Sequence, residues 1–141
     1  MIGNDEFRSA GLFARVACVV GGVFDGLMLF PMLLPSLGGK MFGLQAFAPG
    51  FDYRYAMNVG ASLMLGWTLL LFWAAWRPIE RAGVLLLTAI VVFGLMLAGA
   101  SAVSSGLVLL RNMLPVFALQ LCVISLFLIG YLKVIRLSPR S

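Results

Sequence analysis

Histidine is missing from this sequence, cysteine occurs twice, and only five residues are acidic. Each scarcity removes a class of function. Cys18 and Cys122 lie far apart, each inside an apolar run, so the chain has neither the usual ligands of zinc and haem nor a spaced thiol pair; no metal and no cofactor is expected, and both thiols read as packing residues. No nucleophile stands beside a base, no segment carries paired carboxylates, and there is no phosphate loop, so the sequence does not read as an enzyme. Charged residues make up 11% of the chain, against about 25% in an ordinary water-soluble domain. That shortage excludes a soluble fold.

What is present is apolar: 62% of the 141 residues are hydrophobic and the mean hydropathy is +1.08. This composition is that of an integral membrane protein. Ten Lys and Arg against five acids could suggest nucleic acid. The basic residues, however, sit at the ends of apolar runs and form no cluster interleaved with aromatics, which points to a lipid bilayer and not to nucleic acid as the partner.

Four runs are long enough to cross a hydrocarbon core of about 30 Å at 1.5 Å per helical residue. They cover residues 12–34, 56–76, 83–102 and 114–132, and predict an all-α bundle of four transmembrane helices in one integral membrane domain. The first run is too long for the core of a signal peptide and is preceded by Asp5 and Glu6, so it is expected to remain as the first span. Residues 1–9 read as a short polar tail and residues 133–141 as a basic one. The connection over residues 35–55 mixes Pro and Gly with Phe42, Phe47, Phe51, Tyr53 and Tyr55, which suits an outer interfacial loop with a short amphipathic helix near Lys40 to Phe47. The turn Arg77-Pro78-Ile79-Glu80-Arg81 is short, so the second and third spans are expected to form a tight antiparallel hairpin.

Four spans put both termini and the Arg77 to Arg81 turn on one side. Seven of the ten Lys and Arg fall there; Lys40, Arg54 and Arg111 fall on the other. The positive-inside rule then places both termini in the cytoplasm and the connection over residues 35–55 outside. Trp73 and Trp76, near the end of the second span, are expected to anchor at the water boundary.

One residue breaks the pattern. Asp25 lies past the midpoint of the first span toward the outer face, where an aspartate costs about 2.5 to 3.5 kcal/mol to insert. Groups that could compensate are Ser62 at comparable depth and, nearer the outer boundary, Asn58 and Arg54 at the second span, with Ser101 on the third and Gln120 on the fourth, and Arg111 snorkelling from the outer mouth. Arg54, Asn58, Ser62 and Gly66 recur every four residues and share one helix face. Gly22 and Gly26 flank Asp25 as a small-xxx-small pair, and Gly94 and Ala98 recur on the third span; small residues of this kind let helices approach closely.

The block Asn58-Val59-Gly60-Ala61-Ser62-Leu63-Met64-Leu65-Gly66-Trp67-Thr68-Leu69-Leu70-Leu71-Phe72-Trp73, followed by Arg77-Pro78-Ile79-Glu80-Arg81, resembles a group of small prokaryotic four-span membrane proteins without assigned function. The resemblance implies architecture only. A single carboxylate in the first of four spans is also similar in layout to the small multidrug-resistance transporters, where that acid is shared between protons and cationic substrates. Those proteins are shorter, use glutamate and, in their antiparallel members, keep loop charges nearly balanced, unlike this chain.

From the residues, the first expectation is a non-enzymatic scaffold or accessory subunit, packing by its small-residue faces in a homo-oligomer or against another membrane protein, with Asp25 as hydrogen-bonded glue. The alternative is a small proton-coupled transporter or channel centred on Asp25, since acids inside a membrane mark relays and ion pathways.

Overall fold

The computed structural model describes residues 4–41, 43 and 48–137, and the side chains from Glu6 onward. Five helices follow one another: α1 (Asn4–Leu33), α2 (Pro35–Met41), α3 (Phe51–Trp76), α4 (Ala82–Ser104) and α5 (Leu110–Leu137). Four of them, all but α2, are long and apolar enough to cross a membrane, so the chain is an all-helical, multi-pass membrane bundle. Helix is the only open-chain solution there, because hydrocarbon offers nothing to an unpaired backbone group.

The helices run longer than the apolar runs. α1 begins at Asn4, taking in most of the stretch expected to be a polar tail, and α3 begins at Phe51, inside the expected loop. α5 begins at Leu110, four residues ahead of the start of the fourth apolar run, and carries Pro115 within it. Proline in the second turn removes one hydrogen bond without stopping a helix whose neighbours hold it. The short helix expected near Lys40 to Phe47 falls mostly outside the described residues; a seven-residue helix stands just before it, at Pro35–Met41. That helix folds back sharply after Leu34, and a Cβ on Gly38 would lie 2.8 Å from the Pro31 carbonyl oxygen. Only glycine fits so close a return.

The packing order is not that of the sequence. α1 lies along α3 and α5, and α5 lies along α4, whereas α3 and α4, joined by the short turn, hardly touch. Near the turn the two are tied, since the Trp67 Nε1 donates to the Thr88 hydroxyl at 3.3 Å and that hydroxyl donates to the Val84 carbonyl at 2.7 Å. Beyond this tie they separate. The expected tight hairpin is therefore a splayed one, and side-chain size gives the reason. α1 offers small residues to its neighbours: Ala10, Ala14, Ala17, Cys18, Gly21 and Gly22 are all buried. Gly22 meets the Phe72 ring of α3, with a Cβ placed 3.2 Å from it, and Gly99 of α4 meets Met113 and Phe117 of α5. α3 turns Leu63, Met64 and Trp67 toward α4, and such bulk holds helices apart.

The densest packing lies at the end where the start of α1, the α3–α4 turn and the end of α5 gather. Ala14, Ala17, Leu71, Ala74, Leu85, Ala89, Phe127 and Val134 form one buried cluster there. Arg15 donates to the Ala75 carbonyl at 3.1 Å, and Lys133 lies over the Phe13 ring at 4.5 Å. Arg81 lies over the Trp73 ring at 3.4 Å and donates to the Trp73 carbonyl, a last-turn acceptor that α3 itself leaves open. The Arg77–Glu80 ion pair, 3.3 Å and exposed, adds little.

Candidate functional site

Above that packed end the helices enclose space. A cavity of about 400 Å³ lies between α1, α4 and α5, with Leu71 and Phe127 as its floor and Met41 and Asn112 near the loop end. Asp25 faces it from α1, Gln120 from α5 and Thr88 from α4; Met28, Met64, Val92, Leu95, Val116, Leu119 and Val123 supply much of the rest. A second cavity of about 330 Å³ lies where α3 and α4 have parted, between Gly60, Leu63, Met64 and Trp67 on one side and Val91, Val92 and Leu95 on the other. Asp25 lines this cavity too, together with Met64, Thr88, Val92 and Leu95, so the two spaces share a wall at the acid.

Helix geometry explains why Asp25 and Gln120 reach the same cavity. Asp25 stands eight residues before the end of α1 and Gln120 ten residues after the start of α5, which at 1.5 Å per residue is about 12 and 15 Å from the same end of the bundle. Asp25 makes no hydrogen bond or ion pair among the described residues. The Gln120 side-chain oxygen is fully buried and likewise has no donor; the same is true of the Thr68 hydroxyl oxygen, on the α3 face against Gly26.

The other sequence candidates are not brought to the acid. Arg54 and Asn58 border a small cleft of about 250 Å³ with Met32, Leu33 and Pro35, at the loop end. Ser62 is exposed and donates to the Asn58 carbonyl at 3.0 Å. Ser101 is exposed, and its carbonyl accepts the Ser104 and Ser105 hydroxyls at 2.9 and 2.8 Å, closing the end of α4 beside Gly106, whose φ of 71° suits a helix terminus. Arg111 is exposed at the start of α5. Of the seven polar candidates, the cavity thus holds Asp25 and Gln120.

Among the packing candidates, Gly22 and Gly26 face α3, at Phe72 and Thr68. Gly66 and Gly94 have open space where a side chain would go, and Ala98 is exposed, so these three lie on the outer surface of this chain. Trp73 and Trp76 are both exposed near the turn. Cys18 is buried in the core, while Cys122, also expected to pack, is exposed on α5.

Sequence reasoning missed Thr88, Asn112, Gly21 and the methionines as cavity residues. Thr88 carried no signal in an apolar run. Gly21 had one, since it continues the Ala14, Ala17 spacing that buries one face of α1.

A wider surface cleft of about 510 Å³ opens at the packed end, among Phe7, Arg8, Leu12, Arg15 and Ile79; among the described residues no acid lines it. No family model, curated protein or solved structure matches this chain.

Proposed function

We propose that this protein is a small transporter or channel that conducts protons through Asp25, in the cytoplasmic membrane of a prokaryote with both termini inside. The observation that carries the reading is a carboxyl that faces two cavities and has no partner among the described residues. An acid used only as glue between helices would spend its oxygens on neighbouring donors. Here the cost of holding it in the membrane, about 2.5 to 3.5 kcal/mol, is not offset by any described side chain. Intramembrane acids that face a space mark proton and ion pathways. The orientation rests on charge: Arg8, Arg15, Arg77, Arg81, Lys133 and Arg136 all belong to the packed end, and Arg140 follows beyond the described residues.

The test is proton movement. Protein in liposomes loaded with a pH-sensitive dye, under a potassium diffusion potential, is expected to pass protons, and Asp25→Asn to stop it. Movement that is the same in both would overturn the proposal.

The second reading is a scaffold or accessory subunit, acting with further copies or another membrane protein. It is favoured by the face of α4 at Gly94, Ala98 and Ser101, on which none of the described helices lies. Purification in native lipid, followed by identification of co-purifying chains, tests it; a strictly monomeric protein without partners would count against it.

A further inference from the structure

The splayed hairpin gives Asp25 a side door. The cavity between α3 and α4 reaches the outer, lipid-facing surface of the bundle, because its rim residues are exposed: Leu63 is 72% accessible, Leu95 48% and Val91 39%. The inner cavity is largely apolar, at about 400 Å³, within the ~300–1,000 Å³ of small-ligand sites. Among the described residues neither cavity is lined by Lys or Arg, so an anion would find no charge partner there. The inner one presents instead an unpartnered acid and the buried, donor-less oxygen of Gln120. Buried acceptors without donors are costly, and a ligand that donates to them removes that cost.

We infer that the cavity takes an amphipathic molecule dissolved in the bilayer, with an apolar body and a hydrogen-bond-donating head, and that this molecule reaches Asp25 and Gln120 sideways through the seam between α3 and α4. This rests on Asp25 being the working group of the protein and adds the ligand class and the route. The Met28 and Met64 side chains on the walls are unbranched and can move aside, which lets an apolar chain pass from one space to the other.

Trp67 on the seam wall supplies the readout. In a Trp73→Phe, Trp76→Phe background it is the remaining tryptophan, and bromine quenches indole on contact. Three probes of equal chain length are compared in lipid nanodiscs: 10-bromodecylamine, 10-bromodecanol and the methyl ether of 10-bromodecanol, which has no donor. Saturable quenching by the amine or the alcohol, with only proportional quenching by the ether, is the expected result. Gln120→Leu should weaken the saturable phase about tenfold, as losing one buried acceptor implies. Val91→Phe, which narrows the seam, should slow quenching and leave its final extent unchanged. The ether saturating as well as the donors would overturn the ligand class, and an unchanged rate in Val91→Phe would overturn the route. If the ether saturates while proton movement still depends on Asp25, this inference fails and the transport reading stands. Saturable, donor-dependent quenching without any proton movement does the reverse. Unaltered quenching in Gln120→Leu, with normal folding by its melting curve, also counts against the site.

Discussion

At the end of the bundle where the helix termini gather, Phe127, Leu71 and Leu85 are fully enclosed, and glycine and alanine bring the backbones together around them. Toward the loop end, the same four helices separate around Asp25 and leave two cavities that meet at one wall. Both regions are apolar and both lie within the spans, so hydrophobicity does not set them apart. Residue size at the facing positions does. In lipid, where tails are as apolar as leucine, packing contacts and not water exclusion hold helices together. The tight end is therefore where the bundle is stabilised, and the hollow end is where space is left between the helices.

The comparison can be broken most severely at Phe127. Phe127→Ala should lower stability in mixed-micelle unfolding by about 3 kcal/mol, the low end for such a truncation in a soluble core because the transfer contribution is small in lipid. A loss near zero would mean that the packed end is not what holds the bundle. Gly21→Val comes next: a side chain there overlaps the Phe127 ring, and overpacking of this kind costs about 2 kcal/mol, read as a lower melting temperature. The opposite sign is expected at the hollow end. Gln120→Leu removes a buried oxygen without a donor and should raise stability by about 1 kcal/mol in the same assay; a decrease would mean that the oxygen is paired in the bilayer. The smallest effect should come from Gly94→Ala, which meets open space and should change stability by no more than about 0.5 kcal/mol, toward greater stability. A clear loss for this variant, together with a shift in oligomer size, would sharpen the comparison by adding a third packed surface, between chains.

The spans were legible because a bilayer imposes length and apolarity on every crossing segment, whatever the protein does. Asp25 was legible for the same reason, as the one acid within the spans well clear of their ends. Its surroundings were not. Arg54, Asn58, Ser62 and Gly66 do share a face, as their spacing says, yet periodicity does not tell which way a face turns, and this one turns outward. Gln120 lines the same cavity as Asp25, and depth along a helix follows from counting residues. The separation of α3 from α4 was hidden because a short turn fixes where two helices meet and leaves their far ends to side-chain bulk, here Leu63, Met64 and Trp67. Thr88 gave no signal either, since its part in the tie to Trp67 exists only once α3 and α4 are brought together.

The methionines on the cavity walls bear on selectivity. Met28, Met41 and Met64 all line the inner cavity, and a wall of flexible thioethers has no fixed outline to recognise. Such a site grades its ligands by bulk and by one polar anchor, and molecules of quite different shape would compete for the same place. The same sulfur atoms would gain polar oxygens under oxidation, which would make these apolar walls more polar.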